Sequence, residues 1–109
     1  MSENYILVEA PCCTSIRECN ARALYVIGTR GRGRILRTIN AVRCYRGESK
    51  KVKIYPSNDI VVVEYYVTTR GNPKITVVWK PENMSMEDAL RIAKRVLGVE
   101  EEEVLMFSY

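Results

Sequence analysis

At 109 residues, 47% of them hydrophobic and 28% charged, the chain has the length and make-up of one globular domain with one core, which excludes a disordered tail. Its formal charge is +4, from 17 basic and 13 acidic residues. It contains no histidine, so neither a Ser-His-Asp or Cys-His machine nor a His-ligated zinc site can be built within it.

The start, MSENYILVEAP, is acidic, and its apolar run is too short for a secretory segment. No stretch approaches the ~20 apolar residues of a membrane span, so no membrane partner is expected. A cytoplasmic protein is the expectation, with nucleoid association as an option. Tyr5–Glu9 reads as a short strand with Ile6 and Val8 on one face. Pro11–Asn20 is ambiguous: Ile16, Cys19 and Ala23 have helical spacing over a short run. Cys12, Cys13, Cys19 and Cys44 contain no C-x-x-C pair, so no metal role is assigned. They are expected as buried thiols. A disulfide from Cys44 to one of the other three is the alternative for a hyperthermophile.

Ala23–Ile27 is a continuous apolar run with β-branched members, as in a buried strand. It stops at Gly28, and Gly28-Thr29-Arg30-Gly31-Arg32-Gly33-Arg34 follows. Arg34–Tyr45 fits a basic amphipathic helix, with Ile35, Leu36, Ile39 and Val42 on one side and Arg34 and Arg37 opposite. A glycine-rich turn leading into a helix aims backbone N–H groups outward. With arginines added it is a candidate phosphate cradle. It is neither a Walker loop nor a Rossmann fingerprint. Between Arg17 and Lys53 eleven cations face only Glu18 and Glu48, a local +9, whereas Glu82–Glu103 holds seven acids and three bases. Such segregation creates a directed field that suits a polyanion.

Lys51–Tyr55 alternates, with Val52 and Ile54 on one face and Lys51, Lys53 and Tyr55 on the other. Pro56–Asp59 is a turn cluster. Ile60–Thr69 is a long strand, with Val61, Val63, Tyr65 and Val67 on one side and Val62, Glu64 and Tyr66 on the other. Lys74–Lys80 is its hairpin partner. A Gly71-Asn72-Pro73 loop would pair Thr68 with Thr76, Val67 with Val77, Tyr65 with Trp79 and Glu64 with Lys80. Val62 and Val78 then lie on an outer face that suits a base-binding surface, a helix cover or a dimer contact. Ser85–Leu97 is a helix with a capping box at Ser85 and Asp88 and a C′ glycine at Gly98. Glu100–Glu103 reads as an acidic turn, and Val104–Phe107 as a strand or docking tail.

These elements give an α+β fold in a single domain, residues 1–109. The expected sheet is mostly antiparallel, with about four to five strands. It carries a central basic helix and a C-terminal helix packed on it, residues 84–109 forming a C-terminal extension. Single-stranded nucleic acid needs cations for its backbone and aromatic faces for its bases. Arg30, Arg32, Arg34, Arg37, Lys51, Lys53 and Lys80 supply the first; Tyr55, Tyr66 and Trp79 are candidates for the second, with Trp79 equally readable as core. Arg70 and Lys74 flank the hairpin tip.

The stretch from Ala23 to about Lys80 resembles the Alba family of archaeal nucleic-acid-binding proteins. The matching features are the apolar strand Ala23–Ile27, the turn Arg30-Gly31-Arg32-Gly33, the segment Ile35–Val42 read as the family's basic helix, and the strands that follow. The resemblance implies that Arg30, Arg32, Arg37, Arg70 and Lys74 contact nucleic acid. Glu9-Ala10-Pro11 stands where the family has paired lysines, and the family's first helix would be truncated into Pro11–Asn20. The helix Ser85–Leu97 and the tail Val104–Phe107 are additions. The basic character, aromatic hairpin and closing helix are also similar in organisation to the ThermoDBP-related single-strand-binding proteins of thermophilic archaea. That likeness implies a sheet face with a cleft that grips single-stranded DNA or RNA with little sequence preference. The expectation is a nucleic-acid-binding protein without catalysis or cofactor, acting as a homodimer or higher homo-oligomer. The alternatives are an Alba-like duplex binder and a protein–protein adaptor.

Overall fold

Ile60–Val63 is an unbroken apolar run, and such a run on a strand requires cover on both faces. The computed structural model describes residues 4–45 and 47–99 and the backbone of residues 105–108, and it provides that cover. In chain order come β1 (Ile6–Glu9), β2 (Cys12–Cys13), α1 (Ile16–Asn20), β3 (Arg22–Gly28), β4 (Arg34–Asn40), β5 (Val42–Arg43) and β6 (Lys51–Ile54). They are followed by β7 (Ile60–Val67), β8 (Pro73–Trp79), α2 (Met86–Leu97) and β9 (Leu105–Ser108). The fold is α+β, and its strands pair mostly antiparallel. The main sheet has the order β4-β3-β7-β8-β9, while β1 with β6 and β2 with β5 form separate two-stranded sheets.

Alternation along β7 divides the core in two. Ile60 and Val62 face the β1–β6 ribbon and pack with Val8, Val52 and Ile54, joined by Leu24, Val26 and Ile39. Val61 and Val63 face the opposite way and pack with Ile75, Val77 and the α2 residues Ala89, Leu90 and Ala93. The layers are therefore ribbon, main sheet and helix. Val62, expected on an outer face, is fully buried beneath the ribbon, and Val78 packs half-buried against the same cluster.

Helix α2 forms as the sequence dictates. The Ser85 hydroxyl accepts from the Asp88 N–H at 3.1 Å, and Gly98 closes the helix in the left-handed conformation at φ 69°. The helix then supplies the crossover that a parallel β8–β9 pair requires. The acidic turn at Glu100–Glu103 and Val104 lie outside the described residues.

The segment after the Gly-Arg turn and the hairpin register also differ from expectation. Arg34–Tyr45 is not a helix: β4 pairs antiparallel with β3, and β5 follows it. Ile35, Thr38, Ile39 and Val42 are β-branched and favour extended backbone. A bulge disguises the strand's period: Val26 pairs with Arg37 but Ile27 with Ile35, leaving Leu36 as the extra residue. The hairpin register also differs, since Tyr65 pairs with Ile75, Glu64 with Thr76 and Val67 with Pro73. The loop is Thr69-Arg70-Gly71, closed by the Gly71 N–H to the Thr68 carbonyl at 2.8 Å. Gly71, at φ 82°, occupies the left-handed position that ends a three-residue hairpin loop, so Asn72 and Pro73 begin the return. The shift is by an even number of residues and leaves Ile75 and Val77 on their expected face. A second bulge, at Val62, sets Trp79 opposite Val62.

The cysteines are paired rather than free: Cys12 with Cys44 and Cys13 with Cys19. Successive residues of extended chain point to opposite sides, so the neighbours Cys12 and Cys13 take different partners. One bond ties β2 to the end of β5, and the other ties β2 to α1.

Candidate nucleic-acid interface

The Gly-Arg segment is the tip of the β3–β4 hairpin. The Gly33 N–H donates to the Arg30 carbonyl at 3.0 Å, with Gly31 at φ 63° and Gly33 at φ 83°. No helix follows the turn, so the expected cradle of helix N-terminal amides is absent. Arg30 is held by Asp59, whose Oδ2 accepts from its Nε at 3.0 Å and lies 2.8 Å from its Nη2. Arg32 and Arg34 instead line a cleft of about 630 Å³ between this turn and α2, together with Ile35, Arg95 and Val96. Nothing in the sequence connects Arg95, in the last turn of α2, with the Gly-Arg turn.

The cations of β4 divide. Arg37 lies opposite Val26, which packs on the ribbon side, while Arg34, at the start of β4 opposite Gly28, lines the cleft beside α2. Arg37 crosses the gap to the ribbon, its Nη1 donating to the Lys53 carbonyl at 3.0 Å. Arg37, Lys50, Lys51 and Lys53 line a groove of about 440 Å³ between β4 and β6, and no carboxylate is among its described lining residues.

The same alternation builds the outer face of the ribbon. Val8, Val52 and Ile54 turn inward, which leaves Lys51, Lys53 and Tyr55 exposed as expected. Leu7 lies opposite Lys53, and Glu9 opposite Lys51. Tyr5 and Tyr55, 42% and 53% exposed, form an edge-to-face pair with centroids 6.1 Å apart. The Lys53 ammonium sits 4.6 Å above the Tyr5 ring. Tyr5 was not singled out from sequence, although the alternation of Ile6 and Val8 already placed it outside.

The other expected residues lie apart from this cluster. Tyr66 is half-buried, and the Arg22 guanidinium covers its ring at 4.1 Å. Trp79 is half-buried against the ribbon-side core, in a groove of about 610 Å³ between β1 and the sheet that Arg22 and Glu64 also line. Lys80 donates to the Met84 carbonyl at 2.8 Å and fastens the approach to α2. Arg70 is exposed at the hairpin tip, and Lys74 lies opposite Tyr66. The tip and the Gly-Arg turn stand at opposite ends of the eight-residue β7, roughly 25 Å apart at about 3.3 Å per residue.

Among the described residues no group of three or more Cys, Asp or Glu side chains could hold a metal ion, and no helix is long and apolar enough to cross a membrane. The arrangement offers hydrogen-bond donors, positive charge and open aromatic rings. No protein-family model, curated protein or solved structure matches the chain.

Proposed function

We propose that the protein binds single-stranded DNA or RNA with little sequence specificity and without catalysis. One observation carries this reading: the exposed Tyr5–Tyr55 pair adjoins Lys53, and Lys53 is joined through Arg37 to a groove whose charged residues, among those described, are all cations. Bases stack on the tyrosines while backbone phosphates follow Lys51, Lys53 and Arg37 toward Arg34 and Arg32. This keeps the likeness to ThermoDBP-related proteins as a proposal about binding mode. The Alba-like duplex mode is the weaker reading, since the segment expected as that family's basic helix is β4. A cytoplasmic location belongs to the same proposal, and two disulfides there suit a hyperthermophile.

A homodimer is supported by β4. It is an edge strand carrying Ile35 and Leu36 at 43% and 48% exposure, a surface that a second copy or a partner strand could extend.

The test is fluorescence anisotropy against single-stranded DNA, duplex DNA and hairpin RNA at two salt concentrations. Tight, steeply salt-dependent binding of single strands is expected. Equal affinity of wild type and an Arg37→Gln, Lys51→Gln, Lys53→Gln variant would remove the assigned site. Absence of binding at moderate salt would favour the adaptor.

A further inference from the structure

Of the arginines in the Gly-Arg turn, Arg30 has an acidic partner, Asp59. Arg32, Arg34 and Arg95 have none among the described residues, yet all three line one cleft, and no carboxylate is among its described lining residues. Three cationic side chains lining one cleft favour an anion there.

The convergence is built in by Gly33. A Cβ at this position would lie 2.8 Å from Val96 Cγ2 and 3.2 Å from the Gly28 carbonyl oxygen, and its φ of 83° is one that side chains rarely adopt. Only glycine lets the turn approach α2 this closely, and that approach makes Arg32, Arg34 and Arg95 line one cleft, Arg95 lying one helical turn from Gly98.

We propose that this cleft is a site for a phosphate monoester or diphosphate group. A phosphodiester in a strand carries one negative charge. A terminal phosphate carries about −1.5 to −2 and three acceptor oxygens, the better match to three planar donor forks. The group is either the phosphorylated end of a bound strand or a free di- or polyphosphate. The first source rests on the single-strand reading above; the second does not.

The test uses the full chain and two probes. The first is inorganic pyrophosphate, followed by titration calorimetry. The second is a pair of single-stranded oligonucleotides of one sequence, with a 5′-phosphate or a 5′-hydroxyl, followed by anisotropy. Pyrophosphate is expected to bind at least about tenfold more weakly to Arg95→Gln and to Arg34→Gln than to wild type, as removal of a charge-assisted, bidentate contact requires. Circular dichroism confirms folding, and two separate variants guard against the loss of either. If the phosphate comes from a strand, the 5′-phosphate raises oligonucleotide affinity in wild type, and the advantage disappears in Arg95→Gln.

Pyrophosphate binding that depends on both arginines, with no oligonucleotide binding at all, upholds the site for free phosphates and overturns the nucleic-acid reading. Oligonucleotide binding indifferent to the 5′-phosphate, with pyrophosphate binding absent or unchanged in both variants, overturns the site and leaves the nucleic-acid reading standing.

Discussion

Arg37 and Lys53 belong to different sheets, yet the Arg37 guanidinium donates to the Lys53 carbonyl across 3.0 Å. The contact holds the edge of the main sheet against the ribbon. It also sets Arg37 and the β6 lysines along one groove, close to the Tyr5–Tyr55 pair.

If phosphates occupy that groove, the salt dependence counts them. Each phosphate neutralised on a single strand contributes about −0.7 to the slope of log K against log salt. The Lys51→Gln, Lys53→Gln double variant is therefore expected to flatten the slope by roughly 1.4, with similar effect on all sequences. Anisotropy titrations across a salt series measure this, and an unchanged slope would place the phosphates elsewhere.

Tyr55 separates stacking from charge. Tyr55→Ala is expected to weaken single-strand binding by about 1–3 kcal/mol, and Tyr55→Phe to retain the affinity, because stacking needs the ring rather than the hydroxyl. Both rings of the pair are exposed, so the thermal midpoint should scarcely move in either variant. A loss of equal size in Tyr55→Phe would point to the hydroxyl.

Gly31 and Gly33 share left-handed backbone but not surroundings. A Cβ at Gly31 meets nothing within 4 Å, whereas one at Gly33 meets Val96 and the Gly28 carbonyl. Gly31→Ala is expected to cost about 1–2 kcal/mol from conformation alone. Gly33→Ala should cost roughly 1–3 kcal/mol more, because the turn must lift from α2. Urea denaturation of the two variants gives the comparison, and equal losses would mean that the turn does not press on the helix.

The disulfides differ in the length of chain they close. Cys12 and Cys44 are 32 residues apart in sequence, and Cys13 and Cys19 are 6 apart. Replacing both members of the first pair by serine should lower stability by about 4 kcal/mol, and of the second by about 2 kcal/mol, from unfolded-state entropy. Thermal melts of the double variants test the order. A larger loss from the short loop would show that native contacts around α1 outweigh chain entropy.

Much of this architecture was legible in the residues. The alternation of Lys51–Tyr55, the two faces of β7 and both caps of α2 follow from period and local chemistry. The basic segment Arg34–Asn40 was misread because an edge strand buries little: Ile39 alone of its seven residues is buried. With no clear inside and outside, and with Leu36 interrupting the two-residue period, Ile35, Leu36, Ile39 and Val42 take on helical spacing by default. The hairpin register failed for a narrower reason. Gly71, Asn72 and Pro73 are all turn formers, and only the left-handed backbone at Gly71 separates the loop from the start of β8. Arg95 was hidden because its partners arrive from a turn some sixty residues earlier in the chain.

The bond between Cys12 and Cys44 encloses β3, the Gly-Arg turn and β4 in one covalent ring. Arg30, Gly31 and Arg32 are exposed at its far end, where trypsin can reach the peptide bonds after the arginines. A cut there opens the ring without releasing a fragment. Nicked protein would migrate as one species on a gel without reductant and separate into two once reduced, a simple report on whether that bond is present in the protein as purified.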